Sequence, residues 1–290
     1  MHHKYRKWWA YAFIAPSMIG LLVFWLIPLV LAFVLSLMEW DGFGTRKFVG
    51  LDNFLEQIQN PDFQKAFINT AYYTLLTIPP QIILALLLAL ALNKIPGKNV
   101  YRVFYFMPVV TSSVSVGVIW IWILNGEFGI LNALLSTIGI EGPNWLSDSK
   151  WVIPAIAILG IWWGLGFNIV IFLAGLQGIP KSYYEAAEID GATKFQKFFH
   201  ITLPLLSPTT FFVIVMAVIW SFQVFDHVYV MTQGGPGKAS HVMVLHIYQT
   251  AFQKGQFGDS AATAVILFLV ILFFTLMQFR LSKRWVYYEG

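Results

Sequence analysis

The passage YYEAAEIDGATKFQKFFHITLPLLSP, residues 183–208, is a charged, helix-forming insert in a strongly apolar chain. The chain of 290 residues is 58% hydrophobic and 11% charged, and long apolar runs lie on both sides of the insert. A mean hydropathy of +0.69, together with 12 Trp and 26 Phe, is typical of a membrane protein. We therefore expect the insert to connect two membrane segments.

Six segments of the chain are apolar enough to cross a membrane, which takes about 20 mostly apolar residues. They are residues 9–37, 69–92, 101–124, 152–176, 207–231 and 261–281. The first follows a basic N-terminus, but it is too long for a signal peptide and no small-residue cleavage site follows it. These segments predict an all-α integral membrane protein with a single transmembrane domain over residues 1–290.

The distribution of Lys and Arg predicts the orientation of the spans. Twelve of these residues lie on the side of both termini and of the insert, and six lie on the other side. Because cytoplasmic loops carry the excess of positive charge, both termini and the insert are predicted to be cytoplasmic. The net charge of +4 is therefore interpreted as an orientation signal, and no nucleic-acid partner is predicted. The chain has no cysteine, which excludes disulfides and thiolate metal ligands.

The insert is predicted to form a helix, a turn and a second helix. Ser182 and Glu185 have the spacing of a capping box, as do Thr193 and Gln196. Asp190-Gly191 between them is a turn signal. The first helix is expected to have an apolar side made by Tyr184, Ala187 and Ile189, and the second by Phe195, Phe198 and Phe199. Leu203-Pro204 is expected to redirect the chain into the fifth span.

A helical hairpin of this kind occurs in many cytoplasmic loops, so the capping pattern alone leaves its role open. The full string is more specific. Glu185-Ala186-Ala187, Gly191 four residues later, Ile201 and Leu203-Pro204 closely resemble the EAA loop of ABC importer permeases. The resemblance implies that residues 180–206 couple this chain to a separate ATPase subunit. Its coupling residues would be Glu185, Ala186, Ala187, Asp190, Gly191, Leu203 and Pro204.

The resemblance extends over nearly the whole chain. FVGLDNF (Phe48–Phe54), MTQGGPGKAS (Met231–Ser240) and the order of six spans are similar to the sugar-type permeases, the maltose and glycerol-phosphate importer group. Such a permease implies a second homologous permease, an ATPase dimer and an extracytoplasmic solute-binding protein. It also implies a sugar substrate and a location among the lipids of a bacterial or archaeal cell (inner) membrane. Some maltose-type permeases carry additional N-terminal spans and a large outer domain, whereas this chain is expected to be the minimal six-span form.

The sequence contains no site for ATP. A phosphate-binding loop has the pattern G-x-x-x-x-G-K-[ST], whose amide groups surround the phosphates. The Gly-Lys pairs here are Gly97-Lys98 and Gly237-Lys238, and neither has the preceding glycine or the following hydroxyl residue. The chain is therefore predicted to be a transport subunit and no enzyme, with no cofactor of its own. ATP and magnesium are expected on the partner ATPase.

Candidate substrate residues lie near the middle of the fourth and fifth spans. Glycines at these positions let a ligand approach the backbone, aromatic faces suit sugar C–H surfaces, and amides can both donate and accept hydrogen bonds. Glycines at this spacing are also common where two spans simply pack together, so spacing alone leaves both interpretations open. The candidates are Gly160, Trp163, Gly164, Phe167, Asn168, Trp220, Ser221, Gln223 and Asp226.

The resemblance favours binding, because maltose-type permeases contact sugar from these two spans. Aligned at Pro180 and at Gly234-Gly235-Pro236, Gly164 falls on a glycine of the family's sugar site. Phe167 then falls on an aromatic position and Ser221 on a small polar one. The family's neighbouring asparagines fall on Gly160 and Val224, where this chain departs from the pattern.

Asp226 is the acidic residue predicted to lie within a span, and such residues are usually functional. It is either a substrate contact, a helix cap or the partner of a charge on the second permease. His227 is predicted to face the membrane interface. Asp226 and Asp259 together also raise an intramembrane aspartyl protease as an alternative, because two carboxylates can share a proton. An ion-coupled secondary transporter is the other alternative.

Overall fold

The structure is a computed structural model that describes residues 2–95 and 98–287. Gly97 of the first Gly-Lys pair, and residues 288–290 of the predicted domain, lie outside the described residues. The first half contains α1 (His2–Leu21), the π-helical turn π1 (Leu22–Leu26), α2 (Ile27–Leu35), β1 (Met38–Glu39), β2 (Lys47–Phe48), α3 (Asp52–Gln59), α4 (Pro61–Asn93), α5 (Lys98–Val110), α6 (Ser113–Ile123), α7 (Ile130–Thr137) and α8 (Val152–Gly178). The second half contains α9 (Lys181–Ile189), α10 (Lys194–Lys197), π2 (Phe198–Thr202), α11 (Leu203–Leu205), α12 (Ser207–Phe222), α13 (Asp226–Met231), α14 (Met243–Tyr248), π3 (Gln249–Gln253) and α15 (Phe257–Ser282).

Five helical segments among the described residues are long and apolar enough to cross a membrane. They are Tyr11–Leu35, Pro61–Asn93, Val152–Gly178, Ser207–Met231 and Phe257–Ser282. Each overlaps a predicted span, although the second and sixth begin earlier than expected. The chain is therefore an α-helical, multi-pass membrane protein.

The predicted third span, residues 101–124, is not a straight helix. Its two halves, Val103–Val110 and Ser113–Ile123, meet at an angle of 108°. Pro108 lies in the last turn of α5 and removes one backbone donor from it. Ser112 then adopts an extended backbone conformation, with ψ of 128°. The segment predicted as the third span is therefore either a broken span or a re-entrant one.

The fifth span is also interrupted. α12 ends at Phe222 and α13 begins at Asp226, and residues 223–225 between them are not helical. At membrane depth, a non-helical backbone is tolerated where it is buried in protein or lines a water-filled cavity. The break therefore marks a place at which such a cavity is expected.

The described chain divides into two compact units. Unit 1 comprises Met1–Phe63 and His246–Phe268, and unit 2 comprises Gln64–Leu245 and Leu269–Gly290. Unit 1 is held together by buried amides. Asn53 Nδ2 donates to the carbonyl oxygens of Ser36 and Met38, both at 2.9 Å. Gln57 Oε1 lies 2.9 Å from His246 Nε2 and accepts a hydrogen bond from Thr263 Oγ1 at 3.2 Å.

Unit 2 has an apolar core between α4, α8 and the start of α12. Small residues of α4 allow close packing of larger side chains of α8, and the coupling segment 180–206 joins the core at its ends. The buried members are Ala85, Ala89, Ile169, Phe172, Leu173, Leu176, Ile179, Leu206 and Val213. Tyr184 of α9 packs against this core. The fourth span, the fifth span and the insert between them are therefore connected through one set of side chains.

Candidate functional site

A cavity of about 370 Å³ lies within unit 2, beside the break in the fifth span. All nine candidate substrate residues line it, although they come from both α8 and the segment 217–227. Gly160, Gly164 and Asn168 follow one another at intervals of four residues, so they share one face of α8. The structure thus brings the nine residues together, and their role in binding substrate stays a prediction.

Aromatic rings form one wall of this cavity. The rings of Phe167 and Trp220 are 4.8 Å apart and nearly perpendicular, at 70°. The ring of Trp163 lies 5.3 Å from the imidazole of His227, also at 70°. Edge-to-face pairs of this kind fix ring orientation and contribute about 0.5–1.5 kcal/mol beyond the area that they bury. The wall therefore presents preformed flat surfaces to the cavity.

His227 corrects the sequence prediction. It was expected at the membrane interface, but it is buried and lines the cavity. Its Nε2 atom has no hydrogen-bond partner among the described residues. The interruption before Asp226 changes the rotation of the helix that follows. A regular helix through residues 207–231 therefore gave the wrong face for this residue.

Asp226 lies at the first position of α13 and faces the same cavity. Its Oδ2 atom accepts a hydrogen bond of 2.9 Å from Ser113 Oγ, at the start of α6. Ser113 is the first residue after the bend of the third span. The two broken spans therefore meet through this bond. Asp259, the second acid of the protease hypothesis, lies in unit 1 and lines a different pocket.

A polar stripe on α4 is the part of the cavity that the sequence analysis missed. Tyr73, Thr77 and Gln81 follow at intervals of four residues and line the cavity opposite the glycines. A methyl group built on Gly160 would overlap the hydroxyl of Tyr73, and one built on Gly164 would overlap the side-chain amide of Gln81. Three polar residues at helical spacing in an apolar span, next to Pro79-Pro80, were the available signal.

Two of the three amide side chains that line this cavity are buried, those of Gln81 and Asn168. Gln81 is 8% exposed and Asn168 is 3% exposed. Neither side chain has a hydrogen-bond partner among the described residues. Among the described residues, neither amide belongs to the fully enclosed polar atoms that lack a partner, so both groups are open to the cavity and suit a ligand that both donates and accepts hydrogen bonds. The cavity thus combines aromatic surfaces, amides and one carboxylate, and no Lys or Arg is among its described lining residues.

The second candidate site is the insert, which forms two short helices as predicted but with a different start. α9 begins at Lys181 after Pro180, and no side chain caps it. The predicted capping box of Ser182 and Glu185 is therefore wrong, and Glu185 lies in the second turn of the helix. Pro180 has an extended backbone conformation, with ψ of 134°, and separates α9 from the preceding helix α8.

The turn and the second helix agree with the sequence prediction. Gly191 has a φ of +74°, a conformation that residues with a side chain resist. The capping box of Thr193 and Gln196 is complete. Lys197 Nζ donates to Glu188 Oε1 at 2.6 Å and joins the second helix to the first. This hydrogen bond, and then the positive charge, lowers the pKa of the Glu188 carboxyl.

Apolar side chains of the insert are exposed in an arrangement that differs from the predicted one. Tyr184 and Ala187 are half-buried against the protein, but Ile189 is 87% exposed and Phe195 is 72% exposed. Ile189 therefore does not share an apolar side with Tyr184 and Ala187, and that prediction is wrong. Glu185 and Ala186 are also exposed, Asp190 ends α9, and Leu203-Pro204 opens α11. The free face is thus apolar as well as charged.

Comparisons with known proteins find similar chains over nearly the whole length of this one. Residues 58–287 match the family model described as "Binding-protein-dependent transport system inner membrane component". The arabinooligosaccharides transport system permease protein AraP of Bacillus subtilis (strain 168) is 36% identical, over 94% of this chain and 88% of that protein. The sn-glycerol-3-phosphate transport system permease protein UgpA of Agrobacterium fabrum (strain C58) is 34% identical, over 96% of both chains.

A solved structure is also similar over nearly the whole chain. It is the crystal structure of a bacterial alginate ABC transporter in complex with an alginate pentasaccharide-bound periplasmic protein. The TM-score is 0.82 at 26% sequence identity, with 96% of this chain and 95% of that chain covered. These similarities support the importer and give no support to the protease or the ion-coupled transporter.

Proposed function

This chain belongs to the family of binding-protein-dependent transport system inner membrane components, and we propose that its cavity is the substrate path of a sugar importer. It is a permease subunit of an ABC importer, a transport subunit that is not itself catalytic. Its substrate is a sugar or oligosaccharide handed over by an extracytoplasmic binding protein. The observation that carries the proposal is the cavity, which collects all nine predicted residues at the break of the fifth span.

The lining of the cavity suits an uncharged sugar. Hydroxyl groups both donate and accept hydrogen bonds, as amides do, and sugar rings present C–H faces to aromatic walls. The names of the relatives indicate substrates of different charge, which are an arabino-oligosaccharide, a phosphate ester and the acidic polysaccharide alginate. Asp226 would repel an anion, and no Lys or Arg is among the described lining residues to attract one. A neutral oligosaccharide is therefore the favoured substrate class.

ATP and magnesium act on a separate ATPase dimer beneath the membrane, and a second homologous permease completes the transport path. The insert docks on the ATPase through its exposed face, while Tyr184 connects it to the core of unit 2. Closure of the ATPase then shifts the population between outward-facing and inward-facing states. The breaks in the third and fifth spans supply the non-regular backbone that discontinuous helices of transporters use around a substrate.

This mechanism requires six spans with both termini and the insert in the cytoplasm. The bent pair α5–α6 then counts as one crossing, together with the five longer segments. The chain would lie in the cell (inner) membrane of a bacterium or archaeon, surrounded by lipid, and contact no nucleic acid.

The test is reconstituted transport. The chain, its second permease, the ATPase and the binding protein would be incorporated into proteoliposomes. Uptake of radiolabelled arabinotriose, maltotriose, xylotriose and an alginate trisaccharide would then be measured with ATP inside. We expect ATP-dependent uptake of at least one neutral trisaccharide and none of the alginate fragment. Uptake of the alginate fragment alone would contradict the neutral class, and uptake of no sugar would contradict the proposed function.

A further inference from the structure

We propose that Gln81, on the second span, is a specificity-determining residue that binds sugar hydroxyls together with Asn168. This inference rests on the proposed function and assigns the second span a direct contact with the substrate. The fourth and fifth spans alone supplied the candidates from sequence. The observations that carry the inference are the burial of Gln81, its lack of partners and the shape of α8 opposite it.

The Gln81 amide lies at the cavity without a protein partner. The side chain is 8% exposed and lines the cavity, yet no described residue hydrogen-bonds to it. Glutamine has two donors and one acceptor with two lone pairs. Buried polar groups in native proteins nearly always have a partner. The amide is therefore placed for a partner that enters the cavity.

The Gln81 side chain fits into a space that Gly164 leaves on the surface of α8. Gly164 of α8 leaves the space that the Gln81 amide nitrogen occupies, because a methyl group at position 164 would overlap it. Gly160 makes the corresponding space for the Tyr73 hydroxyl. The two glycines therefore do more than allow close helix packing. Each leaves room for one polar group of α4 at the edge of the cavity.

Asn168 supplies a second buried amide to the same cavity. Asn168 follows Gly164 by four residues, which places it on the same face of α8. The residue is 3% exposed, and no described residue hydrogen-bonds to its amide. The cavity therefore presents two buried neutral amides, Gln81 from the second span and Asn168 from the fourth, beside the exposed amide of Gln223. Two groups that both donate and accept can bind adjacent hydroxyls of a sugar. A carboxylate only accepts hydrogen bonds, so it would leave the oxygen atoms of both amides without a donor.

The test uses the same proteoliposomes and the neutral trisaccharides arabinotriose, maltotriose and xylotriose. Gln81→Leu keeps the approximate volume and removes the hydrogen bonds. We expect its uptake at subsaturating sugar to fall about tenfold, which corresponds to about 1.4 kcal/mol. Gln278→Leu is the matched control, because Gln278 is also on a span but does not line the cavity. Its uptake should stay within twofold of the wild type.

A double substitution separates a contact role from a merely structural one. Gly164→Ala should displace Gln81 and lower uptake, but in the Gln81→Ala background it should add little, because the displaced group is already absent. Co-purification of the ATPase should be unchanged in every variant, which would show that the complex still assembles. Wild-type uptake by Gln81→Leu, or multiplicative losses in the double variant, would overturn the inference while leaving the importer intact. Absence of uptake by the wild type would instead contradict the proposed function, and the inference with it.

Discussion

The hydroxyl of Tyr184 lies 2.9 Å from Thr202 Oγ1, so the first helix of the insert is tied to the segment that leads into the fifth span. Tyr184 also packs against the apolar core that contains Phe172 and Val213. Tyr184 thus links the first helix of the insert both to Thr202 and to the apolar core of unit 2. This relationship gives the coupling hypothesis a specific mechanical link.

Removing the hydrogen bond between Tyr184 and Thr202 should weaken the coupling between sugar binding and ATP hydrolysis. Tyr184→Phe keeps the ring and removes a hydrogen bond with a net worth of about 0.5–1.5 kcal/mol. We expect it to reduce sugar-stimulated ATP hydrolysis by a few fold, and Thr202→Val to do the same. Because both act on one bond, the double variant should be no worse than either single one. Additive losses would show that the two side chains act independently.

Gly191 provides a test of backbone conformation. Its φ is +74°, and nothing lies within 4 Å of the position that a Cβ atom would take. Any defect of a substitution should therefore come from conformation, at about 1–2 kcal/mol for the left-handed region. Gly191→Val should weaken co-purification of the ATPase and abolish stimulated hydrolysis, whereas Gly191→Asn, which tolerates this conformation, should be mild. Equal defects in both variants would instead show that the free space beside Gly191 is needed. Normal ATPase co-purification and normal stimulated hydrolysis in Gly191→Val would contradict a coupling role of the insert.

The exposed apolar residues of the insert should dominate ATPase binding. Interfaces depend on a few buried apolar anchors, while exposed ion pairs contribute little. Ile189→Asp and Phe195→Asp should therefore reduce ATPase co-purification far more than Glu185→Ala. Phe43→Asp is the control, because Phe43 is 84% exposed but lies in the β1–β2 hairpin, on the predicted outer side. A larger loss from Glu185→Ala than from Ile189→Asp would be against this view.

The orientation of the spans is open to direct labelling. The chain has no native cysteine, so single cysteines report without background. In intact cells, Lys150→Cys should react with an impermeant maleimide, and Lys194→Cys should react only after the membrane is permeabilised. Labelling of position 194 from outside would reverse the topology and exclude a cytoplasmic role of the insert.

The aromatic wall of the cavity should contribute to transport and not to assembly. Phe167→Ala removes the edge-to-face contact with Trp220, whose rings are 4.8 Å apart, and opens the wall. We expect uptake of neutral trisaccharides to fall severalfold, with assembly and basal ATP hydrolysis unchanged. Unchanged uptake, or loss of the complex in detergent, would remove Phe167 from the substrate path.

The sequence predicted the features that depend on local chemistry. Apolar run length gave the five long segments, the Thr193–Gln196 spacing gave a complete capping box, and Gly191 gave the left-handed turn. Prolines were ambiguous by contrast. Pro79 and Pro80 lie inside the continuous helix α4, while Pro108 precedes a bend of 108°. Neighbouring helices decide between these outcomes, and a single sequence does not contain that information.

The missed parts of the cavity have the same cause. His227 was assigned to the wrong face because the interruption at residues 223–225 changed the helical phase. Gln81 and Tyr73 were not considered, because their importance depends on the glycines of another span that lie against them. Periodicity within one segment describes its faces, but which faces meet is a property of the packed bundle.

The unpartnered amides of Gln81 and Asn168 have a consequence for how the resting protein is hydrated. Between transport events, water has to fill the hydrogen-bonding positions that these groups offer, as it does for other buried polar groups. An arriving sugar must displace this water, and bridging water is nearly as good a partner as a direct contact. The replacement of water by sugar therefore changes the free energy little. This chain should bind its substrate weakly and release it quickly, as a transport path requires.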